Sequence, residues 1–516
     1  MTEAIPLPQT PPPAADRGSE RDIAALAKGG RTNFFGFLLR LAARLPFLFI
    51  AGRLYGADAL GRFASALVVI ELAAQLCTLG QKRGIAQRLS EDDRDAAHII
   101  ADALVLTLLI AVPVSLGLYL FPYPMFPSDE FTALDRLLVL AIFPIALTDI
   151  ALAALAYRFD VGATVRARSV VEPWTLSIAA GVFFAAGSIG WTTVGDSGLS
   201  LSFIASIFAA AVAALVPLWR SYGLPRRWTP HPLRIGRLAL DNMPLAVADA
   251  VEWGTRRIDI AILGQFATTT SVGVYYVAQQ VASLPQKLKT SFEPILGPVI
   301  TRNLKEGKLA AIARQVSQVG FWITAAQAGI ALALGIPGDG VLGLVGPQFT
   351  GGILALAFLL GAEVGAATAV VSEAALVYTA PMRNLWVSIA TIALQAVLTF
   401  AGMLIAGGFG FNEMDQAASA AGALMVTLSI ASFVKSRLLA WQLKQPVNTW
   451  RWSLLLAAAV ASAVGWVVMQ FPAEWQRVGL GVPLILAVYC LVIWRFGFGP
   501  EDRVLFRKQP KAESQA

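Results

Sequence analysis

Arg40 and Arg44 stand four residues apart inside the apolar stretch RTNFFGFLLRLAARLPFLFIAGRLYG (31–56). One turn of helix puts both guanidinium groups on a single face, in register with Asn33. Counted at ~1.5 Å per residue, Arg44 lies about 15 Å into the stretch, too deep to reach either edge easily. A central arginine costs ~2.5–3.5 kcal/mol in a bilayer, whereas each Leu or Phe returns only ~0.3–0.6 kcal/mol. Such a pair is tolerable only against protein, water or a counter-ion.

Three further runs repeat the pattern. Asp249, Glu252, Arg256 and Asp259 follow at steps of three, four and three, with Arg257 beside them. Glu71, Gln75, Thr78 and Lys82 share one helical face, and so do Gln279, Ser283, Lys287, Thr290 and Glu293. These groups can compensate charge in a wet cavity surrounded by four helices. They cannot make bonds. No G-x-x-x-x-G-K-[ST] loop occurs, GKL at 307–309 lacks the rest of one, and no Ser/His/Asp or metal-ligand cluster appears. The reading is therefore not an enzyme, with no cofactor and no metal.

The elements that position these residues are membrane helices. Of 516 residues, 56% are hydrophobic and 14% charged, against roughly 25% charged in soluble domains, and mean hydropathy is +0.64. Cys77 and Cys490 both sit in apolar runs and suggest no disulfide. Residues 1–30, with PPPAADRGSERD, read as a disordered cytosolic tail. A span needs ~20 apolar residues. Fourteen candidates begin near 34, 60, 98, 134, 169, 199, 240, 271, 319, 350, 384, 416, 452 and 478, the seventh being the weakest because its charges interrupt it.

Charge sets the orientation. Basic residues crowd the two ends and the loops after even-numbered spans, while FPYPMFPSDE (121–130) and GGFGFNEMDQ (407–416) are bare of them. On this assignment 32 of the 40 Lys and Arg fall on one side, which the positive-inside rule makes cytoplasmic, with both termini inside. The net charge of +7 follows from that bias, so nucleic acid is not an expected partner.

Arg44, Gly52, Gly61, Phe63 and Ala66 match Arg256, Gly264, Gly273, Tyr275 and Ala278 at one spacing of 212 residues, and Thr78 and Thr290 keep the register. An offset of six spans makes the two halves parallel, an arrangement that commonly binds substrate between halves. The expected organisation is a tail (1–30), an N-terminal lobe (31–220), a linker (221–239), a C-terminal lobe (240–440), two extra helices (451–497) and a second cytosolic tail (498–516). Arg40, Arg44, Arg256, Arg257, Gln75 and Lys287 are the candidate substrate contacts, and Glu71, Asp249, Glu252 and Asp259 the candidate coupling or gating acids. A purely structural cluster of Arg256 with Glu252 or Asp259 is the competing reading. Asp102, Asp149, Glu172, Glu363 and Glu373 are weaker candidates.

The stretch YGADALGRFASALVVIELAAQLCTLGQKRGIAQRLS (55–90) resembles bacterial polysaccharide flippases of the multidrug/oligosaccharidyl-lipid/polysaccharide exporter superfamily. Its Y-G-x-x-x-x-G-x-[FY] pattern is carried by Tyr55, Gly56, Gly61 and Phe63, and the likeness in span number runs from about 31 to 500. The resemblance implies an all-α polytopic membrane protein of about fourteen helices, with two six-helix lobes in a V plus two C-terminal helices. It further implies a multi-pass protein of the bacterial inner membrane that flips undecaprenyl-diphosphate-linked oligosaccharide to the periplasmic leaflet for surface polysaccharide. Expected partners are that glycan, membrane lipids, a polymerase and glycosyltransferases, around a monomer. Arg40, Arg44 and Arg256 would form the cationic cavity, although Asp249, Glu252 and Asp259 depart from a purely cationic lining. A multidrug exporter of the same superfamily and a non-transporting scaffold of a polysaccharide synthase are the rivals.

Overall fold

The computed structural model describes residues 45–158, 160–286, 293–499 and 502, with the side chains of Val161, Glu252, Arg256 and 293–298 outside the description. The described chain is helical. Helix α1 (45–55) runs into α2 (Gly56–Thr78), followed by α3 (Gln81–Glu91), α4 (Ala96–Leu120), α5 (Asp135–Tyr157), α6 (Gly162–Ser188) and α7 (Gly198–Tyr222). The second series is α8 (Pro232–Phe266), α9 (Thr269–Gln286), α10 (Glu293–Lys305), α11 (Leu309–Gly335), α12 (Ile353–Thr379), α13 (Pro381–Gly408) and α14 (Glu413–Leu443). Helices α15 (Trp452–Val468) and α16 (Glu474–Gly497) close the chain and pack on α11.

Helices stand at thirteen of the fourteen expected places, and α1 is the described end of the first. Ten are long and apolar enough to cross a membrane on their own, and α8, α9 and α15 are not among them. The chain reverses at Gly56, whose φ of +86° suits a residue without a Cβ. The reversal brings the Phe47 and Phe63 rings to 6.3 Å, a separation that sixteen residues of straight helix would make about 24 Å. Helix α13 shows the amphipathicity proper to a bilayer. Asn384, Ser388, Thr391, Gln395 and Thr399 are buried on one face, and Trp386, Val397, Phe400 and Leu404 are exposed on the other.

The two series repeat each other. Helix α3 begins at 81 and α10 at 293, both short and lying after the second span of their half. The helical turns that open α5 and precede α12 begin at 135 and 347, the same offset of 212. The halves meet along α2 and α9. A Cβ on Gly61 would fall 1.7 Å from the Thr269 carbonyl oxygen, and one on Gly273 would fall 1.9 Å from that of Ala57. Since 61 and 273, and 57 and 269, are the same repeat positions, a two-fold axis passes between the glycines. Only residues without side chains permit this crossing. Around it the Phe63 ring lies 5.7 Å from Phe203 and 6.5 Å from Tyr276.

The inter-lobe linker is fastened to the first lobe. The Trp228 Nε1–H donates to Asp102 at 2.9 Å, Arg94 pairs with the same carboxylate at 2.7 Å, and Arg234 lies 3.8 Å away. Arg94 also grips Asp92 and holds its carboxyl below the usual carboxylate range. At the other terminus Asp502 accepts from Arg451 (2.6 Å), Trp322 Nε1 (2.9 Å) and Gln318 (3.2 Å), stapling the last helices to α11.

Candidate functional site: charged contacts between two lobes

Among the described residues, contacts join the lobes at three levels. At the charge-poor end lies the glycine crossing, where the Thr269 hydroxyl donates to Asp58 and, at 3.2 Å, to Glu130. Gln348 donates to the Gly52 carbonyl at 2.8 Å beside it. At the basic end, Arg83 and Lys82 reach across to Asp249 of α8 at 2.6 and 3.6 Å. Arg88 lies 3.7 Å from Asp241 and donates to Asn242 at 3.5 Å. The left-handed Leu79 ends α2 and turns α3 toward α8, which makes this latch possible.

Between these closures, Arg257 Nε lies 3.3 Å from Glu71 Oε2, an ion pair from one lobe to the other. Arg257 also donates to Gln279 at 2.9 Å. Gln279 donates to Asp259 at 3.2 Å, and the Tyr275 hydroxyl donates to the same Asp259 oxygen at 2.6 Å. Asp259 is fully buried, and its other oxygen has no partner among the described residues. Two cavities meet at Arg257. One of about 150 Å³ lies between the lobes, lined by Glu71, Glu172, Arg257, Gln280 and Ser283 with Phe47, Leu48 and Leu176 as its apolar wall. The other, about 120 Å³, lies inside the second lobe against Gln279, Gln286 and Glu363. Behind Glu172, Arg168 pairs with it at 2.8 Å and with Asp149 on its far side.

The candidate residues of the sequence therefore separate. Arg257 and Glu71 line the inter-lobe cavity. Gln75 turns instead to Lys82, accepting from its ammonium at 2.6 Å, and Asp249 belongs to the latch. Asp259 is internal to the second lobe. Arg40, Arg44 and Lys287 lie outside the described residues, as do the side chains of Glu252 and Arg256. The described wall is not a run of cations. Arg257 shares it with Glu71 and Glu172, because α2 and α6 deliver acids where arginine was expected to prevail, and Arg168 with Asp149 lies behind Glu172. Glu172 is the residue that sequence reasoning undervalued. Its only sequence signal was Arg168 one turn before it.

The arrangement can hold a charged group in a cavity closed at both ends and release it when either set of contacts parts. At about 150 Å³ the central cavity is the size that admits one small molecule. A larger cargo requires the lobes to separate.

Comparison with known proteins agrees with this architecture. The sequence matches no curated protein. Among solved structures, the fold is similar to an inward-facing multidrug resistance MATE family transporter of the MOP superfamily, with TM-score 0.62 and 16% identity over 79% of this chain and 99% of that one. It is similar also to a MOP superfamily transporter from Pyrococcus furiosus whose binding pocket is described as having reversed polarity, with TM-score 0.57 and 12% identity over 83% and 96%. At these identities the likeness is one of fold. The family model for polysaccharide biosynthesis proteins matches residues 50–325, which hold the glycine crossing, the latch and the Glu71–Arg257 pair, and the chain belongs to that family, as a multi-pass membrane protein with a MATE-like fold.

Proposed function

We propose that this protein flips a polyprenyl-diphosphate-linked oligosaccharide from the cytoplasmic to the periplasmic leaflet of the bacterial inner membrane, by alternating access between its two lobes. The observation that carries the reading is Arg257, a guanidinium shared by two cavities and tied to Glu71 of the opposite lobe. A diphosphate leaving the headgroups needs compensation, and a guanidinium offers a fork that is always charged. Competition between diphosphate and Glu71 for Arg257 then links cargo binding to lobe separation. Arg40, Arg44, Arg256 and Lys287 are proposed as further phosphate contacts. The sugar occupies the wet space between lobes, and the polyprenyl tail stays in lipid. Outward movement of negative charge gains ~2.3 kcal/mol per 100 mV in an inside-negative cell.

Export of cationic compounds is the second reading, favoured by Glu71 and Glu172 on the same cavity wall. The test is surface polysaccharide in cells that carry only the variant, with membrane level checked. Arg257→Ala abolishes it on the flippase reading, and Arg257→Lys keeps part of it. Normal polysaccharide from well-expressed Arg257→Ala, together with resistance to cationic drugs, supports the second reading instead.

A further inference from the structure

A separate cavity of about 380 Å³ opens at the charge-poor end of the first lobe, away from the central cavities. It lies between the start of α2 and the end of α6, under the short helix Thr192–Asp196. Tyr55 and Phe184 meet there edge to face with ring centroids 5.5 Å apart. The Tyr55 hydroxyl donates to the Ala180 carbonyl at 2.7 Å, which fixes the ring. Asp58 and Arg62 form an ion pair on the cavity wall. Asp196 is exposed on its rim and has no partner among the described residues. At the repeat positions of Asp58 and Arg62 the second lobe has Thr270 and Val274, so the pocket is not a by-product of the duplication.

We propose that this pocket binds a neutral pyranoside unit of the cargo glycan on the side where the cargo leaves, and that binding loosens the lobe contact there. The inference rests on the flippase reading for the source of the sugar. The chemistry on the walls is that of sugar recognition. An aromatic face takes the apolar C–H side of a pyranose ring, carboxylates accept from its hydroxyls, and a guanidinium donates to its oxygens. Asp58, Arg62 and Asp196 leave one net negative charge, which disfavours an anionic ligand. Arg62 and the absence of an enclosing aromatic cage disfavour a cation.

The coupling lies in Asp58, which accepts from Arg62 inside the pocket and from Thr269 of the opposite lobe. Thr269 is the residue whose carbonyl lies against Gly61 at the crossing. A hydroxyl that engages Asp58 therefore competes with the contact holding the lobes together at this end.

The test uses the full-length protein in lipid nanodiscs. Tryptophan fluorescence, with Trp191 one residue from Thr192, is titrated with the repeat-unit oligosaccharide released by mild acid from the expressing bacterium's own surface polysaccharide. Saturable binding is expected, weakened at least tenfold in Asp196→Ala and in Phe184→Leu at unchanged melting temperature. Thr269→Val, which removes the competitor for Asp58, is expected to tighten it severalfold, an effect that a merely structural role does not produce. Absent binding in the wild type, equal binding in both pocket variants, or tighter binding of tetraphenylphosphonium than of the oligosaccharide overturns the proposal. Unchanged affinity in Thr269→Val overturns the coupling. Loss of export in Arg257→Ala alongside such a failure leaves the flippase reading standing, so the two fail separately.

Discussion

Gly61 and Gly273 face each other across the lobe boundary, each where the other's repeat partner would be, and neither has room for a methyl group. The closeness of α2 and α9 depends on them. Gly61→Ala and Gly273→Ala should each destabilise the closed form, by about 1–3 kcal/mol as for overpacking in a core. Because the contact is reciprocal, the two variants should cost nearly the same. Melting curves in detergent test this, and a wild-type curve for either variant would remove the crossing from the account.

The Arg83–Asp249 latch predicts a change in access. Asp249 is buried while Arg83 is nearly half exposed, so the loss is discounted for solvent to about 1–2 kcal/mol. Leu245 of α8 packs against Gly80 and Gly84 beside the latch. In a background lacking Cys77 and Cys490, the variant Leu245→Cys should react faster with a thiol reagent from the basic side after Asp249→Asn. The swapped pair Arg83→Asp with Asp249→Arg should restore slow labelling. Equal rates in all three proteins would show that the latch closes nothing.

Glu71 and Arg257 should behave as one unit in export. Each of Glu71→Gln and Arg257→Gln should reduce surface polysaccharide strongly. Their combination should be no worse than the more severe single change, since both remove the same contact. Multiplicative losses would mean that the two residues act independently.

The Asp502 staple should matter for stability and little for export. Asp502→Ala leaves Arg451 and Trp322 without their shared acceptor, and melting should fall by several degrees. Polysaccharide export should persist at permissive temperature.

Much of the fold was legible because hydropathy and charge act over whole helices. Helices α8 and α9 count among the fourteen apolar stretches, α8 as the weakest, although neither meets the length and hydropathy test for a span on its own. The site was legible in part. Steps of three and four put Glu71 on one face of α2, the face that meets the other lobe. They grouped Arg256 with Asp259 and set Arg257 beside them. Arg257, about 100° further round, is the described arginine of the central cavity, the Arg256 side chain lying outside the described residues. The same counting grouped Asp249 with its own helix, whereas its partners come from α3, which only the turn at Leu79 brings near. The sugar-type pocket draws on residues 55–62 and 184–196, a pairing that no local pattern announces.

The glycine crossing has the form of a homodimer interface folded into one chain. Position 61 rests on 269 while 273 rests on 57, so each half offers the other the patch that it receives, as in a cyclic pair of identical subunits. Such a surface recognises its own copy. The symmetry holds for the glycines and the backbone carbonyls they rest on, while the side chains have diverged: 57 is Ala and 269 is Thr, whose hydroxyl reaches Asp58. A half-length chain would present the same face to a second molecule of itself, and the linker pinned by Trp228 and Asp102 makes that encounter intramolecular.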